Sequence, residues 1–485
     1  YEEHFRPLGA GYEPPRGRPE VLERIEGGFL VRGPRRVEAR FLRPEGWSDT
    51  ERIPLVEIRN ASGYVIALEY DAEGRVASVR DSDDRGFDFT YGSCGFLEKL
   101  ADHTGRACVY YHDTSAEFLV EARTPPVPGY DLGVRTRYEY DYGARDIRQT
   151  ANITRIVDHD GMVLAETFYV DDPQDRDFGR VRRQRQGPDT WLFEYGVRRP
   201  MLPEAENLNS IYTATRVQTP DGAFHDQAFN FRGDLLEETV HQAFVVAWRK
   251  TYTYDAAGNR SAAYNNDGSG TRWQYDAEAE DPRNRSNLQF VRSVAAGHTG
   301  TPPRRIQEIQ WHSEWQVPLR TRGETDHWTE FDYDFSIPEA SPRGLLRFER
   351  PPDATLPDDS VQTSQIERQY DAAGRLSELI ATAGDVVIRT RFERFGSGAD
   401  VGRVQREIRD ADGPDERTTE FAYDEWGNVR SVTHPSGGVT DTEYDALLRV
   451  VSQLQPEVSG ARGHSKITYG THGMATEVAT AAGSY

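Results

Sequence analysis

A short motif recurs along this chain and constrains its fold more than any other feature. The pattern Tyr-Asp-x-x-Gly followed by Arg or Asn occupies residues 70–75, 254–259, 370–375 and 423–428. Self-similarity of this kind is the signature of a repeat architecture. The repeated positions are Tyr70, Asp71, Gly74, Tyr254, Asp255, Gly258, Tyr370, Asp371, Gly374, Tyr423, Asp424 and Gly427. We interpret these residues as a structural repeat motif.

The spacing of the tyrosines predicts the size of the repeated unit. Tyr70 to Tyr91 and Tyr423 to Tyr444 are each 21 residues apart. A unit of this length is too short for two helices, but it fits two strands of about seven residues, at about 3.3 Å per residue, with two turns. The sequence therefore predicts one β-hairpin per repeat.

The chemistry of the motif predicts its turn. An aspartate at the first turn position can accept hydrogen bonds from backbone N–H groups two residues on, and glycine supplies a positive φ. We therefore expect positive φ at the four motif glycines and a different turn at residues 444–450, where Leu448 replaces glycine. Stacked in successive hairpins, the tyrosines are expected to form an aromatic ladder.

The remaining sequence favours a nearly all-β fold. Alternation places Thr419, Phe421 and Tyr423 on one face of a strand, and no long segment has helical apolar spacing. Residues 28–31 and 37–41 are predicted strands, whereas prolines predict loops around 302–303 and over 337–357. We divide the chain into an N-terminal segment, residues 1–57, that leads into a repeat region, residues 58–485.

Composition excludes several classes of protein. The formal charge of −22 argues against nucleic acid as a partner, because binding to phosphates depends on clustered Lys and Arg. The longest apolar run, residues 243–248, is far short of the roughly 20 residues that span a bilayer. With only Cys94 and Cys108, the chain is not a disulfide scaffold, and whether these two cysteines pair stays open.

No catalytic, cofactor-binding or metal-binding residues are predicted. Residues 92–95, Gly-Ser-Cys-Gly, are the segment that most resembles a turn carrying a catalytic nucleophile. They have no neighbouring histidine in the sequence and therefore fit a hairpin turn better. The acidic residues 81–86 lack the later ligands of a calcium loop and favour a solvated turn. The cluster Trp311-His312-Ser313-Glu314-Trp315 favours a packed strand face over a metal or sugar site.

The motif and its period resemble the YD repeat of the Rhs family, which is shared with toxin-complex cage subunits and teneurins. The resemblance covers the chain from about Ile58 to the C terminus. It implies hairpins joined in one long sheet that spirals into a hollow shell. The self-cleavage region of bacterial Rhs cores is absent, and such cages are about twice as long, which implies a partial shell or one of two fragments that close together.

The resemblance further implies a function. Bacterial shells of this family commonly hold a C-terminal toxin, so the chain is expected to be a non-enzymatic, exported bacterial container for a polypeptide toxin or effector. Its partners would be that cargo or a second shell fragment, and also a secretion-apparatus protein. The alternative is a secreted or cell-surface YD-repeat protein that serves in adhesion or carbohydrate binding.

Overall fold

The fold is built almost wholly from antiparallel β-strands. The computed structural model describes residues 5–8, 11–13, 20–43, 52–113, 118–143, 149–197, 207–243, 245–297, 302–336, 343–471, 473–480 and 483–484. Strands make up 56% of the chain, and the described residues contain no α-helix but have short 3-10 turns, for example at Pro34–Arg36, Pro282–Asn284 and Asp334–Ser336. The predicted all-β class is confirmed. None of the helical segments within these ranges is long and apolar enough to cross a bilayer.

The chain divides into two compact units. Unit 1 comprises Tyr1–Gly63, Gly143–Thr150 and Ala165–Pro352, so the predicted N-terminal segment 1–57 lies within it. Its strands are β1 Arg6–Leu8, β2 Gly11–Glu13, β3 Val21–Ile25, β4 Gly28–Arg32, β5 Glu38–Leu42, β6 Leu55–Arg59, most of β15 Val163–Tyr169, β16 Val181–Gln186, β17 Asp189–Val197, β18 Thr213–Gln218, β19 Phe224–Phe229, β20 Leu235–Gln242, β21 Val245–Tyr254, β22 Arg260–Asn265, β23 Gly270–Tyr275, β24 Leu288–Val294, β25 Arg304–Trp311, β26 Pro318–Arg322, β27 Thr329–Tyr333 and β28 Leu346–Arg350.

Unit 2 comprises Tyr64–Tyr142, Ala151–Leu164 and Asp353–Tyr485. Its strands are β7 Val65–Tyr70, β8 Val76–Asp81, β9 Gly86–Tyr91, β10 Leu97–Asp102, β11 Ala107–His112, β12 Leu119–Arg123, β13 Arg135–Tyr140, β14 Ile153–Val157, β29 Ala354–Thr355, β30 Val361–Gln362, β31 Ser364–Tyr370, β32 Leu376–Ala383, β33 Val386–Arg394, β34 Val404–Arg409, β35 Arg417–Tyr423, β36 Val429–Thr433, β37 Val439–Tyr444, β38 Val450–Val458, β39 Ala461–Tyr469, β40 Ala475–Thr480 and β41 Gly483–Ser484.

Strands that follow one another in sequence pair antiparallel, as expected for one hairpin per repeat. In unit 2, Leu68 lies opposite Val79 and Val79 lies opposite Phe87, which joins β7, β8 and β9. A β-bulge precedes the tyrosine that ends β7, because Glu69 pairs with Ser78 but Tyr70 pairs with Val76. Bulges increase local twist and re-aim a side chain.

The two faces of the sheet carry different side chains. On one, which we call the ion-pair face, Arg406 of β34 pairs with Glu420 of β35 at 3.0 Å and with Glu393 of β33 at 3.4 Å. The other, the tyrosine face, carries Phe421 and Tyr423, which alternate with Glu420 along β35. Each unit repeats this division, for example at Arg322 and Glu308 on the ion-pair face of unit 1.

Few of the described side chains are fully buried. Small apolar clusters form around Leu236 and Tyr254, and around Trp315 and Tyr333, both in unit 1. Most residues of the described strands stay partly accessible. The sheets therefore leave large areas that no second layer of the described chain covers.

Two local expectations need correction. The loop predicted over residues 337–357 contains β28 Leu346–Arg350, because its prolines flank a strand that pairs with β27 through Phe348 and Asp332. The segment after Trp311 turns instead of continuing as a strand, with the Gln316 N–H donating to the His312 carbonyl at 2.9 Å. Residues 337–342 lie outside the described residues.

Candidate functional site

The repeated motif folds into a five-residue turn that its own aspartate holds closed. In the first copy, the Asp71 N–H donates to the Arg75 carbonyl at 2.9 Å, and the Gly74 N–H donates to the Asp71 carbonyl at 3.1 Å. Asp71 Oδ1 accepts from the backbone N–H groups of Glu73 and Arg75 at 3.1 and 2.9 Å. The carboxylate thus satisfies backbone donors of the turn that have no partner in the strand pairing.

The four motif glycines have the positive φ that the sequence predicts. Their φ angles are +78° at Gly74, +92° at Gly258, +80° at Gly374 and +89° at Gly427. The aspartate bonds recur as well, because Asp424 Oδ1 accepts from the Trp426 and Asn428 N–H groups at 3.0 and 2.8 Å. The motif is therefore one turn repeated along the sheet.

The residue after the glycine has a role that the sequence analysis missed. Arg75 Nε donates to Asp71 Oδ2 at 2.7 Å, and Asn428 Nδ2 donates to Asp424 Oδ2 at 2.9 Å. Both side chains close the turn by satisfying the second carboxylate oxygen. The signal lay in the pattern itself, since Arg and Asn share a hydrogen-bond donor at this position.

Further turns of the same design lack the full motif. Asp81 Oδ1 accepts from the Asp83 and Arg85 N–H groups, both at 2.9 Å, and Asp84 takes the glycine position with a φ of +62°. The acidic residues predicted to form a solvated turn are thus a repeat-type turn. In a third turn, Asn230 Oδ1 accepts from the Arg232 and Asp234 N–H groups at 2.9 Å, so an amide oxygen can replace the carboxylate.

The expectation of a different turn at Leu448 is wrong. The Leu448 N–H donates to the Asp445 carbonyl and the Asp445 N–H to the Arg449 carbonyl, both at 2.9 Å. Leu448 has a φ of +63° and a side chain that is 45% exposed. The leucine adopts the left-handed conformation that glycine takes elsewhere, because the bonds of Asp445 hold the turn closed.

Tyrosine hydroxyls link neighbouring turns. Each of these tyrosines ends its strand and donates its hydroxyl to the carbonyl of the first residue of the preceding strand. The distances are 2.8 Å from Tyr91 to Val76, 2.9 Å from Tyr254 to Leu235, 2.7 Å from Tyr423 to Val404, 3.2 Å from Tyr444 to Val429 and 2.8 Å from Tyr469 to Val450. Burial raises the pKa of Tyr91, Tyr423 and Tyr444, which keeps these hydroxyls protonated donors.

Arginines stack on several of these rings. The Arg75 guanidinium lies 4.4 Å from the centre of the Tyr91 ring, and Arg449 lies 4.3 Å from that of Tyr469. Each arginine directly precedes the residue whose carbonyl accepts the tyrosine hydroxyl, and such contacts contribute about 0.5–1 kcal/mol at exposed sites. We expected the tyrosine rings to stack on one another, but in these two places a tyrosine ring stacks on an arginine of a turn.

The aromatic cluster at residues 311–315 is a packing site. Trp315 is only 4% exposed, stacks on Phe335 with ring centres 5.2 Å apart, and lies 3.6 Å from the Arg36 guanidinium. Arg36 also pairs with Glu314. A sugar could not stack on so buried a ring, so the interpretation as packing is supported, although Trp315 lies in a turn.

A shallow depression lies on the ion-pair face of unit 1. Gly196, Ala214 and Ala228 face one another across β17, β18 and β19, and these small residues form the floor of a cavity of about 220 Å³. Arg216 on its rim binds Asp226 through two hydrogen bonds of 2.6 and 2.8 Å. Its charged lining residues are Glu194, Asp226 and Glu237 with the single cation Arg216, so the depression is acidic.

The two cysteines do not form a disulfide. Cys94 is exposed in a turn closed by the Gly92 N–H and the Phe96 carbonyl at 2.9 Å, whereas Cys108 lies half-buried on β11. Burial raises the pKa of the Cys108 thiol, which disfavours the reactive thiolate. The Gly-Ser-Cys-Gly segment therefore has the hairpin chemistry that the sequence indicates.

Comparison with known proteins found structural similarity only. No family profile and no curated protein matches the chain. Among solved structures, a TcdB2-TccC3-Cdc42 complex aligns with a TM-score of 0.44 and 10% identity over 96% of this chain and 26% of that chain. TcdB2-TccC3 without its hypervariable C-terminal region gives 0.43 and 11% over 96% and 26%. A Photorhabdus luminescens Tc holotoxin pore gives 0.42 and 10% over 95% and 24%. The chain spans about a quarter of each matched chain.

Proposed function

We propose that this chain is part of the wall of a non-enzymatic shell that encloses a polypeptide toxin or effector for export from a bacterium. The observation that carries the proposal is the uncovered sheet. Most residues of the described strands stay partly accessible on both faces, and few of their side chains are fully buried. Unpaired sheet edges and uncovered apolar faces mark places where other polypeptide binds.

The sequence and the charge support the same role. The YD-like repeat and its turns resemble those of bacterial Rhs shells, and the tyrosine face offers half-buried aromatic and aliphatic side chains to an unfolded cargo. The charge of −22 favours solubility and keeps the wall away from anionic membranes and nucleic acid. The cargo would be a C-terminal toxin or effector, and a second fragment would complete the shell.

The proposal predicts protected cargo. The tagged chain is purified from its native source without denaturant, weighed by native mass spectrometry and treated with trypsin. We expect a second polypeptide, or a cargo segment continuous with the chain, that resists digestion until the wall unfolds. Absence of any such polypeptide would overturn the proposal, and binding to glycan arrays or cells in its place would favour the adhesion alternative.

Substitutions in the turns test whether the wall provides the protection. Asp371→Ala and Asp424→Ala each remove an acceptor of backbone hydrogen bonds, and each such bond contributes about 1 kcal/mol. The double variant should release cargo to trypsin at a lower urea concentration. Glu425→Ala, in the same turn but exposed, is the matched control and should leave protection unchanged. Equal protection in both variants would show that the sheet is not the barrier.

A further inference from the structure

The hairpin of β32 and β33 extends beyond the next strand of unit 2. β33 pairs with β32 from the turn onward, beginning with Val386 opposite Ala383. Pairing of β33 with β34 begins only at Thr390, opposite Arg409. No described strand pairs with residues 386–388 on that side, so they form a free sheet edge.

The backbone groups of Val387 point outward at this edge. A two-residue turn makes Ala383 and Val386 a hydrogen-bonded pair, so the next residue, Val387, directs its N–H and C=O away from β32. The neighbouring bonds agree with this alternation. The Arg389 carbonyl accepts from the Ala411 N–H at 3.0 Å on the outer side, and the Gly384 N–H donates to the Thr363 carbonyl at 3.1 Å on the opposite side.

The side chains at this edge are apolar and exposed. Val386, Val387 and Ile388 are 59%, 47% and 49% exposed. Sheet edges usually carry lysine, proline or an inward charge that prevents pairing with another chain. Residues 386–388 have none of these devices, and three consecutive β-branched residues favour the extended conformation.

A second hairpin has the same design in unit 1. Val245, Val246 and Trp248 of β21 are 68%, 47% and 38% exposed. Pairing of β21 with β22 begins only at Lys250, opposite Asn265. Each unit therefore has a hairpin whose exposed apolar end extends beyond the next strand, so the feature is not confined to one loop.

Acidic residues border the β33 edge and indicate the charge of its partner. The Ala411 bond places the turn of residues 410–416 beside Arg389, and this turn carries Asp410, Asp412, Asp415 and Glu416. Asp412 is paired with Arg391 of β33 at 2.7 Å, and the other carboxylates would attract a basic residue at the end of a foreign strand.

We propose that residues 386–388 bind an extended, β-branched segment of another polypeptide, with a basic residue at its flank, as an added antiparallel strand. An added antiparallel strand satisfies the outward N–H and C=O of Val387 together. The inference goes beyond the proposed shell and holds whether or not the sheet encloses cargo.

Peptide binding to the intact 485-residue chain tests the inference. The probe is a fluorescein-labelled Lys-Thr-Val-Thr-Val-Thr-Lys peptide, with versions that carry glutamate at both ends or proline in the centre. Fluorescence anisotropy should show binding of the lysine peptide and at least tenfold weaker binding of the proline peptide. Absence of binding, or equal binding of the proline peptide, would overturn strand addition.

Variants of the protein distinguish the contribution of the backbone hydrogen bonds to peptide binding from the contribution of the acidic residues. Val387→Pro removes the outward N–H but keeps the bonds to β32, so affinity should fall at least tenfold, whereas Val387→Thr should stay within about threefold. Asp415→Lys should shift preference toward the glutamate peptide, and this exposed substitution keeps the test valid if the proline variant misfolds. A wild-type dimer in sedimentation that Val387→Pro abolishes would assign the edge to a second copy and contradict the proposal.

Discussion

Leu448 shows that the aspartate, not the glycine, defines the repeat turn. Its φ of +63° costs a non-glycine residue about 1–2 kcal/mol, yet the hydrogen bonds of Asp445 are those of the glycine-containing turns. The sequence predicted the turns with glycine but not this one, because the balance between backbone strain and hydrogen bonding is not visible in the residue types.

Leu448→Gly should stabilise the protein. The substitution relieves the left-handed strain, and because the side chain is 45% exposed it removes little packing. We expect the free energy of unfolding to rise by about 1 kcal/mol, measured by urea denaturation. Leu447→Gly, one residue earlier in the same turn, is the control and should lower stability. A loss of stability in Leu448→Gly would mean that the leucine makes a contact worth more than the strain.

At the scale of the strand and hairpin, the tyrosine hydroxyl joins the end of one strand to the beginning of the strand before it. The 21-residue spacing predicted the hairpins, and the bulge before each tyrosine then directs the ring toward the preceding strand, as at Tyr423. The spacing did not predict the hydroxyl bond or the stacked arginine. Both depend on the exact offset that the bulge creates, which a period of about 21 residues does not specify.

Tyr423→Phe should weaken the sheet by about 1 kcal/mol. The change keeps the ring but removes the 2.7 Å bond to the Val404 carbonyl, which is then left without that donor. Urea denaturation monitored by circular dichroism measures the difference. Tyr111→Phe, on a ring that is 43% exposed, is the control and should change stability by less than about 0.5 kcal/mol. Equal effects in the two variants would show that the hydroxyl bond contributes nothing specific.

At the scale of the whole molecule, the turns should make the protein sensitive to acid. Desolvation raises the pKa values of Asp81, Asp102 and Asp371, but hydrogen bonds from turn N–H groups and neighbouring side chains outweigh it and hold each pKa below its ordinary value. Such carboxylates stabilise the fold above their unfolded pKa of about 3.9, and the contribution is lost as pH falls through the folded pKa values. We expect the urea midpoint to drop below about pH 4.

Asparagine provides the control for the acid prediction. Asn230 already closes one turn with its amide oxygen, so Asp81→Asn, Asp102→Asn and Asp371→Asn should preserve the turns while removing the titrating groups. The triple variant should show a shallower decline in urea midpoint between pH 5 and pH 3. A decline as steep as in the wild type would place the acid sensitivity elsewhere in the molecule.

Each hydroxyl bond that links two turns runs in one direction along the chain. Tyr91, Tyr254, Tyr423, Tyr444 and Tyr469 all donate to carbonyls that precede them in sequence. During synthesis the N-terminal part of a chain emerges first. Every acceptor therefore leaves the ribosome before its donor, and each new hairpin can dock on one that is already made. The direction of these bonds thus allows the hairpins to assemble in order, from the first to the last.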